Sequence, residues 1–330
     1  MTKTTNLAGL LISALLVAGC GEDPAMLANW DHSHTGLYNA AISQDGQFAV
    51  ISSSTDGASF WNLATNSRLY DWSHDDTPEG QISHIAFAPD NSHVITANTR
   101  TFIVWNTESG RALGYWSVDA DISSLAISNR AEFVLLGLKD GRAIHINQRT
   151  GRRLEVVAHQ NERVASVDLS NNGTIAVTGG NDGRAVVWET VHGKQIHILE
   201  HRERILVTTF DSSDEKVFTA DELGNATIWD LELGKKLTVL ELGQRQHVIT
   251  AARFSQDGKL LLLGFPGRDV RLWNTTTGKQ VDSWRTPVRT KGWVPQGSTV
   301  YAVAFDESKS AVVAESSNGL GRSWSLHAAN

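Results

Sequence analysis

Tryptophan followed by a polar residue recurs along this chain at a nearly fixed interval: Trp61-Asn62, Trp105-Asn106, Trp188-Glu189, Trp229-Asp230, Trp273-Asn274 and Trp324-Ser325. Ile146-Asn147 stands where one more is due, and the seven positions lie 44, 41, 42, 41, 44 and 51 residues apart. A period of this length belongs to one supersecondary unit that cannot bury its apolar face alone and must stack against copies of itself.

A second register repeats in step with the first. Apolar residues at offsets 0, 3 and 5 recur as Leu37/Ala40/Ile42, Ile82/Ile85/Phe87, Ile122/Leu125/Ile127 and Val164/Val167/Leu169. They continue, with one threonine, as Ile205/Thr208/Phe210, Ile249/Ala252/Phe254 and Val300/Val303/Phe305. Polar turns follow, such as Ser43-Gln44-Asp45-Gly46, in which Asp-Gly between apolar runs is a hairpin signal. Each unit therefore reads as four strands, a to d, with the tryptophan on strand c and little room for helix. The fold class expected is all-β, a seven-bladed propeller. The pattern resembles the WD40 family over nearly all of the chain. Blade four spells it best, with His159, Thr178, Asn181-Asp182-Gly183 and Trp188 in the family's His, Ser/Thr, Asp and Trp places. The other blades are degenerate: Asp140 keeps the turn aspartate, whereas blades two, five and six lack it at that offset.

Strand d has its own marker: Trp72, Trp116, Val157, Leu199, Leu240 and Trp284. Counting back by 42 from Trp72 reaches Trp30, and only six residues follow Trp324. Residues near 26–32 are thus expected to supply the outer strand of the last blade, covering an open sheet edge. In a WD40-like blade the a–b and c–d turns share one face, and the d–a and b–c loops share the other. The N-terminal segment then enters at the a–b/c–d face.

The first residues read as an address. Leu7–Gly19 is uncharged and mostly apolar, too short to span a bilayer as a helix but suited to a secretory signal. Val17-Ala18-Gly19-Cys20 resembles a bacterial lipobox, which implies acylation of Cys20 and removal of residues 1–19. Residues 20–25 become a tether and 26–330 the propeller. Gly21 after the cysteine implies, by the sorting habit of such lipoproteins, the outer membrane, with the protein facing the periplasm. Cys20 is the single cysteine, so no intrachain disulfide or Cys-based zinc site is available. The formal net charge of −7 argues against a nucleic-acid partner held by charge.

No catalytic signature emerges, and neither enzyme activity, a cofactor nor a metal is expected. Of the twelve histidines, His32, His74, His159 and His201 each follow the strand-d marker by two residues, in different blades. They are expected to form structural hydrogen bonds rather than share an ion. One tryptophan, Trp293, falls outside every register, in a lengthened last d–a loop with Arg289 and Lys291. Together with Arg202, Arg204 and Arg245 these are the candidate partner-binding residues, since exposed aromatic and arginine side chains favour protein contact. The d–a connections near blades two and three carry acids instead, among them Asp75, Asp76, Glu79, Asp119 and Asp121, giving a face of two signs. Two functions stay open. One is a membrane-anchored scaffold displaying the d–a/b–c loops to envelope proteins. The other is a propeller that binds or converts an envelope glycan or small molecule in its central channel. Ionisable side chains converging deep in the channel would favour the second.

Overall fold

The computed structural model describes residues 25–326 apart from 56, 75–80, 244–247 and 290–297. These residues form seven four-stranded antiparallel sheets. The innermost strands are Leu37–Ile42, His84–Phe87, Ile122–Ile127, Val164–Leu169, Ile205–Phe210, Ala251–Phe254 and Val300–Asp306. Blade four shows the pattern, continuing outward through Ile175–Gly180, Arg184–Glu189 and Gln195–Glu200. The seven-bladed propeller expected from the two registers is the fold found.

The apolar offsets explain the packing. Each core cluster draws on two neighbouring blades: Val50, Phe60 and Trp72 of blade one meet Ile82, Val94 and Trp105 of blade two, for example. Seven such clusters run round the ring, the last joining blade seven to blade one through Trp30, Ala304, Val313, Ile42 and Ile51. No blade has a core of its own, so each depends on its neighbours for burial.

Blade seven closes as the strand-d register requires. Met26–Asp31 pairs antiparallel with Leu320–Ser325, which continues into Ala311–Ser316 and Val300–Asp306. Trp30, opposite Gly321, is buried, and its indole nitrogen donates to the Leu63 carbonyl at 3.0 Å. The Ser325 amide donates to Ala25 O at 2.8 Å, so the described chain begins on the face of the c–d turns.

One marker is displaced by a residue. Trp72, Trp116, Leu199, Trp284 and Trp30 lie opposite Ala58, Phe102, Ala185, Val270 and Gly321. In blade three the matching residue, Ala143, faces Val156, while Val157 is exposed. The cause is a bulge. All six tryptophan-bearing strands have a register shift at the tryptophan against strand d, and the Ile146 strand has none. An extra residue facing a large indole is inserted where the indole is present. Blade three lacks it, so its outer strand reaches the same point one residue sooner.

Candidate functional site

The histidines come first because they fix the loops of the d–a/b–c face. In blade two Trp105 Nε1 donates to Thr96 Oγ1 at 2.8 Å, and Thr96 Oγ1 lies 2.8 Å from His74 Nε2. Blade five repeats this with Trp229, Thr219 and His201, and His201 Nδ1 stands 3.3 Å from Asp221 Oδ2. Burial holds the His201 imidazole below its ordinary pKa, so the neutral ring takes the hydroxyl proton's bond and donates to the carboxylate. In blade four His159 bridges Thr178 and Asp182, each at 3.0 Å, while the Trp188 indole nitrogen has no hydrogen-bond partner. The hydrogen-bonding role expected of His74, His159 and His201 is what the geometry shows, whereas neither ring nitrogen of His32 makes a hydrogen bond.

Two details differ from the sequence reading. Blade five does have its aspartate, Asp221, placed two residues after Thr219 rather than four, which the fixed offset overlooked. Blade three loses the network as a set, whereas blades six and seven keep Trp273 and Trp324 with their indole nitrogens unpaired. Val118, Leu136 and Ile146 occupy the His, Thr and Trp places of blade three and join one apolar cluster. A network with a single member removed would leave buried polar atoms unpaired, which costs more than an apolar replacement of the whole.

Of the six partner-binding candidates, Arg202, Arg204 and Arg289 lie among the described residues. Cys20, Arg245, Lys291 and Trp293 lie outside the described residues. Arg202 is exposed and has no ion-pair partner among the described residues. Arg204 meets Glu222 at 2.6 Å. Arg289 is nearly buried and serves the ring closure: its guanidinium takes both oxygens of Asp31, at 2.5 and 3.0 Å, and the carbonyls of Ser33 and Asn318. That contact holds the Asp31 carboxyl below the usual carboxylate range.

The described acids of the loop face, Asp119 and Asp121, are ion-paired. Asp119 meets Arg142, which also binds Asp140 and Glu155, and Asp121 meets Arg100 and Lys139. The sequence reading counted these acids without the bases of strand c and the b–c loops that face them. Asp75, Asp76 and Glu79 lie outside the described residues.

The central channel holds what the sequence reading missed. A cavity of about 560 Å³ runs from the innermost strands to the a–b turns, and its lining includes Asp168 and Arg253. Asp168 accepts the Phe210 amide of the next blade at 2.9 Å. Arg253 reaches past blade seven to Gln44 Oε1 at 2.6 Å and Ile42 O at 3.3 Å. Burial is the main cause that raises the Asp168 pKa and lowers that of Arg253. At the a–b end Asp214 is pushed up to about 6, by burial first and then by Asp168 and Asp211. Among the described residues no group of three or more His, Cys, Asp or Glu stands ready for a metal ion.

The architecture defines a class: a seven-bladed WD40-type β-propeller. Within it, residues 151–189 match the family model of the WD domain, G-beta repeat. That match starts in the c–d turn of blade three and ends on strand c of blade four, so the sequence repeat straddles two structural blades. It also contains His159, Thr178 and Asp182, the bonded set of blade four. A search of the curated proteins found no match.

Proposed function

We propose that this chain is a lipid-anchored scaffold of the bacterial envelope that binds protein partners through its d–a/b–c loop face. WD40 propellers are protein-interaction scaffolds in general, and the observation that carries the finer reading is the closing blade. The propeller begins on the a–b/c–d side at Ala25, five residues after Cys20. Such a tether reaches at most roughly 20 Å when extended. With Cys20 acylated, that side faces the lipid and the loop face is turned to the aqueous compartment. The mechanism is display: stacked blades keep the loops rigid, and the anchor raises the local concentration of the scaffold beside its partners.

Two measurements in the native host test it. Cys20→Ser should leave the membrane fraction; retention of the variant there in high salt would overturn the anchor. A photoreactive residue at position 293 should capture a protein partner in whole cells. Capture only from the a–b turns, for example from position 45, would invert the orientation.

The channel favours a second reading, in which the propeller also holds a small molecule. The ionisable residues Asp168 and Arg253 both line it, which supports the ligand-binding alternative.

A further inference from the structure

The fourth offset of the innermost strand carries a pattern of its own. Round the ring it reads Ala41, Ala86, Ala126, Asp168, Thr209, Arg253 and Ala304. All but Ala304 line the channel cavity. Three consecutive blades thus present methyl groups, and the next three present a carboxylate, a hydroxyl and a guanidinium. A propeller needs only a small side chain at this position, as the alanines show. An acid and a base two blades apart are an addition to the fold's requirement.

These two charges face the same cavity without pairing. Asp168 and Arg253 sense each other's charge, yet no ion pair joins them among the described residues. Each is held in place from elsewhere: Asp168 by the amides of Leu169 and Phe210 and the side chain of Thr209, Arg253 by Gln44 and the Ile42 carbonyl. Neither is saturated. A guanidinium has more donors than those two acceptors occupy, and Arg253 Nε is buried with no hydrogen-bond partner. A carboxylate with two amide donors and one hydroxyl donor still has a lone pair for an ammonium. Burial disfavours both charges, so a ligand bringing the opposite charge to each would relieve the penalty on both at once. The cavity has the volume of an ordinary small-molecule site.

We propose that the channel binds a compact zwitterion, an α-amino acid or dipeptide, with its ammonium on Asp168 and its carboxylate on Arg253. Thr209 stands between the two charges, and an aliphatic side chain of the ligand packs toward Ala41, Ala86 and Ala126. An anion alone would meet Asp168 unfavourably, and a cation alone would meet Arg253. The site is separate from the loop face, so its loss would leave the scaffold reading untouched.

The test uses calorimetry and thermal unfolding of the intact propeller with free L-amino acids and dialanine at millimolar concentration. At least one of these probes should bind and raise Tm. N-acetylation or amidation of that probe should weaken it tenfold or more. Asp168→Asn should abolish binding. Because that change also touches an inter-blade hydrogen bond, Ala86→Leu provides a second variant, which fills the cavity from the opposite wall and leaves both charges in place. Loss of binding in folded Ala86→Leu supports the site. The proposal is overturned if none of the probes binds. It is equally overturned if the blocked forms bind as well as the free ones, or if binding persists in both variants.

Discussion

His32 Nδ1 lies 2.9 Å from Glu315 Oε1, and both side chains are fully buried. The contact joins the N-terminal strand to the blade it completes. It arises because blade one carries Ile51 opposite Ser59, where blades four and five carry Thr178 and Thr219 opposite Val186 and Thr227. His32 lies tilted against Trp61 with ring centroids 4.6 Å apart, but the Trp61 indole donates to Ser59 Oγ and His32 meets Glu315 instead. Gly321 makes the room, since a Cβ at that position would overlap the Glu315 carboxylate. Glu315→Ala should cost about 1–3 kcal/mol, because it removes the carboxylate that faces a buried imidazole making no hydrogen bond of its own. Gly321→Ala should be destabilising in the native chain and markedly less so beside Glu315→Ala. Urea unfolding of the four proteins gives the coupling, and strict additivity would refute the spatial argument.

The Arg289–Asp31 fork fastens the same strand from outside. Arg289→Ala should lower stability by about 1–2 kcal/mol, and Arg289→Lys should recover only part, because lysine lacks the planar fork. Hydrogen exchange should show the amides of Met26–Asp31 opening first. Uniform exchange across all blades would argue against a local latch.

Deleting residues 24–32 should cost far more than the loss of nine residues elsewhere on the surface. The deletion exposes the edge of Leu320–Ser325 and removes Trp30 from the core between blades seven and one. An unchanged melting temperature would contradict this account of closure.

Thr96→Val keeps the shape of its site but leaves Trp105 Nε1 and His74 Nε2 without their shared partner. A loss of about 2 kcal/mol is expected. Thr96→Ser should retain most of the stability, because the hydroxyl is what the network uses. Equal losses in the two variants would assign the effect to the methyl group.

Asp214 makes part of the stability depend on pH. Its folded pKa, about 6, lies above the ordinary 3.8, so between these values the folded state holds the extra proton. Stability from this group is therefore present at low pH and declines as pH rises through about 6. Asp214→Asn should gain stability at pH 7 relative to the native chain and gain less at pH 4.5. Denaturant midpoints at the two values decide it; a larger gain at the lower pH would reverse the sign.

What the sequence could reveal followed the size of the periodic signal. The tryptophan interval and the triplet of apolar offsets placed all seven blades and the closing strand, because burial between blades constrains those positions wherever they recur. Val157 was misplaced by one because a bulge leaves no mark in a residue count; only the lack of tryptophan at Ile146 hinted that blade three differs. Asp221 escaped because a carboxylate can reach His201 from more than one point on a turn. Arg289 was legible as a basic loop residue, but its partner lies 258 residues away, beyond any local pattern. Asp168 and Arg253 could have been found by aligning the seven innermost strands and asking which members depart from alanine.

The offset between sequence repeat and blade has a consequence in time. Met26–Asp31 is made before the first blade, yet its partner Leu320–Ser325 is made only after the other six. Six blades can stack in order as the chain lengthens, each supported by the one before. The first strand must wait, unpaired, until the last hairpin arrives. The ring is consequently sealed in a single late event, and every defect in Trp30, His32, Glu315 or Arg289 should appear as slow closure before it appears as a missing blade.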